Sequence, residues 1–215
     1  LEISQHLAIA HLNSQKKNLE VNELGCLLNE EQKTFYKGHI IEYFNKDLIN
    51  PMIKANRETE GFQTFIEAKL PFLISNLEVY YRFEAIKSLI IKSIISTKTK
   101  ITLILPNVLP EILSYCSEYA YLQKEVNLVL ISNWDIEKYG NIISNMMMLG
   151  NVQIRQIYFN PSFFGIFKDE KELILAPFIE NLEEMLCIQS TDLEFVKFLN
   201  QIIPPIFNAN SRPIS

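Results

Sequence analysis

The chain has 215 residues, enough for one large domain or one medium domain with a helical extension. Hydrophobic content of 48% against 21% charged residues excludes wholesale disorder. A formal net charge of −5 excludes an electrostatic grip on nucleic acid by the chain as a whole.

The first residue is Leu, so the chain is predicted to be a piece or a processed product of a longer protein. Leu1–Ala10 lacks the basic start and continuous apolar core of a signal peptide. No apolar run reaches bilayer-spanning length, and a cytoplasmic protein with no membrane partner is expected. Cys26, Cys116 and Cys187 form no C-x-x-C pair, which points to reduced thiols and neither a disulfide framework nor zinc.

Residues 1–76 read as a helical region. Ile3, Leu7 and Ala10 make one apolar face, Val21, Leu24, Leu27 and Leu28 a second, and Phe35, Ile40, Ile41, Phe44 and Leu48 a third. The last two have helix-turn-helix spacing around Asn29–Glu31. Residues 1–60 nevertheless hold seven Lys/Arg against nine Asp/Glu, the wrong sign for a phosphate-gripping module. A helical bundle or dimerisation arm is favoured there, and any DNA contact is expected only through this helix-turn-helix or a separate one upstream of Leu1.

Residues 77–215 read as an α/β domain. Val79, Phe83, Ile86, Leu89, Ile90 and Ile94 recur at helical spacing and predict one long helix to about Ser96. Strands follow at Lys100–Leu105, Val126–Ile131 and Val152–Phe159, with helices at Leu109–Tyr121 and Ile136–Leu149 between them. This alternation predicts a mixed, mainly parallel sheet flanked by helices on both faces. Phe163–Phe167 and Leu173–Leu175 around Asp169-Glu170-Lys171 predict an antiparallel hairpin, and Glu184–Ile188 an edge strand. Thr191 with Glu194 reads as a capping box for a last helix, ending at Pro204-Pro205.

Obvious sites for chemistry are missing from this half. The three histidines, His6, His11 and His39, all precede it, and their spacing does not suggest a metal site. No glycine motif cradles a nucleotide, and no cofactor is expected. Met146-Met147-Met148 reads as core packing, and Cys116 and Cys187 as buried small hydrophobes.

The element order, and the hairpin with an aspartate at its tip, resemble the phospholipase D-like fold. Active members of that fold carry H-x-K-x-x-x-x-D, with a nucleophilic histidine and a phosphate-binding lysine. Laid on Asp169, the frame puts Ser162 at the histidine position and Phe164 at the lysine position, so the resemblance implies no phosphodiester chemistry and no enzyme. The alternative, favoured for Asp169 itself, is a hairpin-turn aspartate. Ile86–Pro106 and Val152–Phe207, with FFGIFKDEKELILAP and CIQSTDLEF, further resemble the effector-binding half of TrmB-type archaeal transcription regulators. The resemblance spans about residues 78–210. It implies a non-catalytic, dimerising domain that senses a small-molecule effector such as a sugar. The alternative is a protein interaction or scaffold module without such a ligand.

Open α/β sheets hold ligands beyond the carboxyl ends of their strands. Here those ends offer Asn107, Ser132, Asn133 and Trp134, amides and a hydroxyl beside the only tryptophan. The competing reading is that Asn133 and Asp135 start the next helix and Trp134 staples it.

Overall fold

The structure, a computed structural model, describes residues 78–178 and 185–214. The helical region at 1–76, its helix-turn-helix spacing, the three histidines, Cys26 and the start of the Glu184–Ile188 strand lie outside the described residues.

The elements run β1 (Glu78–Tyr81), α1 (Phe83–Ser96), β2 (Lys100–Leu105), α2 (Pro110–Leu122), β3 (Asn127–Ser132), α3 (Ile136–Met147) and β4 (Val152–Gln156). They continue with β5 (Phe163–Lys168), β6 (Glu172–Pro177), β7 (Leu186–Ser190), α4 (Leu193–Ala209) and β8 (Arg212–Pro213). The strands form one eight-stranded sheet in the order β1-β7-β6-β5-β2-β3-β4-β8.

The central strands are apolar on both sides because helices cover both faces. Ile101, Leu103 and Leu105 of β2 point into a core with α1, α2 and α3. Their neighbour Ile104 points into a second core closed by Phe195, Val196, Leu199, Ile203 and Phe207 of α4. The same alternation splits β3, β5 and β6 between the two cores, which is why these strands read as unbroken apolar runs.

Several expectations are corrected. The sheet is mixed but not mainly parallel: among the described residues only β2/β3 and β3/β4 are parallel, and the other pairings are antiparallel. Only these two pairs are joined through helical crossovers, which parallel neighbours require; β5, β6 and β7 follow one another without an intervening helix and pair antiparallel. The predicted long helix begins later, because Glu78–Tyr81 is a strand on the outside of β7. Val79 and Tyr80 are buried in opposite cores, a period of two that four residues cannot separate from helical spacing. Arg82, at φ 75°, makes the corner into α1, and its amide donates to the Met185 carbonyl at 2.8 Å. β7 is therefore interior rather than an edge.

The last helix is capped by Asp192, not Thr191: the Asp192 carboxylate accepts from the Phe195 amide at 3.0 Å. It also runs through Pro204 and Pro205 to Ala209 instead of stopping there. The methionine run divides, with Met146 in the core and Met148 82% exposed.

Candidate functional site

The register of β2 and β5 defines two poles of the domain. Ile104 pairs with Gly165 and Ile101 with Lys168, so the start of β5 lies at the carboxyl end of β2 and the β5–β6 turn lies at its amino end. Ser162 falls at the first pole, with Asn107 and Asn133; Asp169 falls at the second. The three positions of the degenerate motif therefore do not converge.

At the first pole, Phe164 is fully buried in β5. Its ring sits 6.1 Å from that of Phe83 and 6.0 Å from that of Phe178, a continuous aromatic packing. Ser162 is exposed beside it, and its carbonyl accepts from the Phe178 amide.

The expected ligand platform is not assembled in the form expected. Ser132 is buried and donates to the Leu105 carbonyl at 2.8 Å. Trp134 is 4% exposed, and its indole N–H donates to the Arg155 carbonyl, so it presents no stacking face to solvent. Asn133 is exposed but joined to its neighbours: it donates to Asn160 Oδ1, and its own Oδ1 accepts from Gln156 Nε2. Asn107 is exposed. Asp135 caps α3 by accepting from the Lys138 amide, the structural alternative weighed for this turn.

At the second pole Asp169 is a clamp. Its carboxylate accepts from the amides of Lys98, Thr99 and Lys100 at 2.7–3.0 Å and from the Thr99 hydroxyl at 2.8 Å. These bonds tie the β5–β6 turn to the entry of β2. Burial pushes the carboxyl up, but the donors from Lys100, Lys98 and Thr99 outweigh this and hold it below the ordinary carboxylate range. Asp169 and Glu170 both adopt positive φ, 51° and 55°, a conformation that aspartate tolerates better than most residues.

Beside this clamp, between α4 and the lower half of β2 and β5, lies a cavity of about 570 Å³. Thr102 and Phe167, each 4% exposed, contribute from the sheet; Asn200, Gln201, Pro204, Pro205 and Asn208 contribute from α4. The sequence reading missed it because it ended the helix at the prolines. The pair Asn200-Gln201 set four residues before Pro204-Pro205 was the available signal.

Neither described thiol is poised for chemistry. Cys116 and Cys187 are buried, and burial pushes both thiols up, Cys116 to about 12. Among the described residues no group of three or more His, Cys, Asp or Glu could hold a metal ion, and no helix is long and apolar enough to cross a membrane.

No protein-family model matches the sequence, and no curated protein matches it either. Solved structures do. The structure of TrmBL2, an archaeal chromatin protein described as showing a novel mode of DNA binding, matches with a TM-score of 0.54 at 9% identity, over 82% of this chain and 71% of that one. A phospholipase D family member, Nuc from Salmonella typhimurium, matches with a TM-score of 0.48 at 16% identity, over 64% of this chain and 97% of that one. Phosphatidylserine synthase from Haemophilus influenzae Rd KW20 follows with a TM-score of 0.49 at 11% identity, over 65% and 38% of the two chains. The likeness to TrmBL2 is one of fold.

Proposed function

We propose that this chain is the non-catalytic recognition region of a TrmB-like transcription regulator, a homodimeric cytoplasmic protein whose α/β domain responds to a small polar effector. DNA reading falls to residues 1–76 or to a separate helix-turn-helix. The observation that carries this reading is Phe164: in a fold shared with a chromatin protein, the position of the phosphate-binding lysine is a fully buried phenylalanine packed between two other rings. A phenyl ring cannot neutralise phosphate, and the neighbouring position is Ser162, with no histidine anywhere after His39 to activate it.

The test is a thermal-shift screen of the full chain against sugars, polyols and nucleotides, alongside light scattering. A true effector at a hundredfold over its Kd adds about 2.7 kcal/mol of stability. Absence of any stabilisation, in a protein that sizes as a monomer, removes both the sensing and the dimer. Turnover of a phosphodiester that vanishes in Asp169→Ala would instead restore an enzyme.

One observation favours the second reading, an interaction or scaffold module. Tyr158, Phe159 and Phe178 are 72%, 47% and 36% exposed. Phe178 belongs to the first pole, and Phe159 packs on Phe207 beside Phe163, so apolar surface is open there.

A further inference from the structure

We propose that the cavity between α4 and the β2–β5 floor binds a free α-amino acid through the opposed charges at its mouth. The inference rests on the sensing reading above and makes its effector a small zwitterion.

The floor supplies the first observation. Thr102 pairs with Phe167 across β2 and β5, and both line the cavity under α4. Thr102 is 4% exposed, and its hydroxyl makes no hydrogen bond among the described residues. A buried hydroxyl without a partner is costly to keep. This oxygen is not sealed from solvent as Asn208 Oδ1 is, so it opens into the cavity. On the opposite wall, the half-buried Asn200 of α4 leaves its side-chain amide equally unbonded.

The mouth supplies the second. Lys100 stands two residues before Thr102 and therefore on the same face of β2. Its carbonyl accepts from the Asp169 amide at 2.8 Å, which sets Glu170 one residue further round the turn. Lys100 and Glu170 are exposed and line the cavity, and neither forms a side-chain hydrogen bond or ion pair among the described residues. Two opposite charges rooted on neighbouring backbone thus share one mouth without neutralising each other. Asp169 and Lys168 are already committed, the first to four hydrogen bonds and the second to Glu172.

A simple anion would meet Lys100 but face Glu170, and a simple cation would meet the reverse. An α-amino acid carries both charges on one carbon, so its carboxylate reaches Lys100 while its ammonium reaches Glu170. The Thr102 hydroxyl donates to the same carboxylate. The buried Phe167 ring and Pro204 offer its side chain an apolar wall, and a volume of about 570 Å³ is ample for it.

The experiment is calorimetric titration of the full chain with the standard L-amino acids. The best binder is then compared with the amine that lacks its carboxylate and the acid that lacks its ammonium. The zwitterion is expected to bind roughly tenfold tighter than either. Lys100→Gln is expected to weaken the amino acid and the acid roughly fivefold without weakening the amine, and Glu170→Gln to weaken the amino acid and the amine without weakening the acid. Thr102→Val is expected to lower the amino acid's affinity roughly tenfold without lowering the melting temperature, since it buries a methyl group where an unbonded hydroxyl stood. Lys171→Gln, which removes an exposed charge outside the lining, is expected to change nothing. Equal affinity for the zwitterion, the amine and the acid overturns the ligand chemistry. Binding that all three cavity variants leave intact overturns the site and spares the sensing reading. Silence from every amino acid overturns this proposal, and the sensing reading falls with it only if the wider thermal-shift screen of sugars, polyols and nucleotides is also silent.

Discussion

The two poles of β5 divide the labour of the domain in a way the sequence motif does not suggest. At the start of the strand the protein has aromatic rings with centroids about 6 Å apart and side-chain amides bonded to one another. At the far end, an aspartate ties the turn to the entry of β2, and a cavity opens next to it. A carboxylate that organises backbone amides remains useful in any protein with this turn, whereas a nucleophile is useful only to a catalyst.

The largest expected effect breaks the aromatic pole. Phe164→Ala removes a fully buried ring from between Phe83 and Phe178 and should cost about 3–5 kcal/mol, read from the denaturant midpoint. Phe164→Lys should be at least as damaging and should gain no affinity for inorganic phosphate, because its charge would enter an apolar core. A stable lysine variant that binds phosphate would mean that this pole can be opened to an anion.

Midway along the strand, Gly165→Ala separates the poles by steric means. A Cβ there would lie 2.8 Å from the Phe163 ring and 3.3 Å from that of Phe167, and Phe163 is held edge-on against Phe207 at 5.7 Å. Overpacking of about 1–3 kcal/mol is expected, with α4 displaced from the sheet. An unchanged midpoint would show that the rings on this face yield freely.

The clamp at the cavity pole carries a pH signature. Asp169→Ala deprives three backbone amides and a hydroxyl of their acceptor and should cost about 1–2 kcal/mol at neutral pH. Asp169→Asn should cost less, since its carbonyl oxygen still accepts and asparagine tolerates the positive φ. The folded carboxyl titrates below its unfolded value of about 3.9, so its stabilisation is complete above that pH and is lost as the pH falls through the lower folded value. The stability gap between the native chain and Asp169→Asn should therefore close in acid. A gap that stays constant down to strong acid would mean that the charge contributes nothing.

Much of this was legible before any coordinates. Lys100–Leu105, the hairpin about Asp169 and α2 stand where β-branched runs and amphipathic spacing put them, because their burial patterns are simple and long. The balance of the sheet is not legible, since nothing local shows that the antiparallel hairpin of β5 and β6 joins the sheet beside β2, or that β1 and β8 pair antiparallel at its edges. Trp134 is a different case: its place in the sequence fits a stacking face and a helix staple alike, and only the structure shows its N–H bonded to the Arg155 carbonyl and its ring in the core. The cavity was hidden by a local rule that proline ends a helix, which tertiary packing of Ile203 and Phe207 on the sheet overrides.

The smallest expected effect concerns how α4 is fixed at the cavity pole, where Ser190 pairs with Leu173 just before the helix begins. Asp192 accepts from the Phe195 amide at 3.0 Å, and its own amide donates to the Ser190 hydroxyl at 3.2 Å, so the side chain and the main chain of one residue together set the first turn. Asp192→Ala should cost about 1 kcal/mol, the usual loss of a cap, while Thr191→Ala, at an exposed position just before it, should stay within about 0.5 kcal/mol. Equal losses from Thr191→Ala and Asp192→Ala would return the cap to Thr191 and shift the start of the helix by one residue.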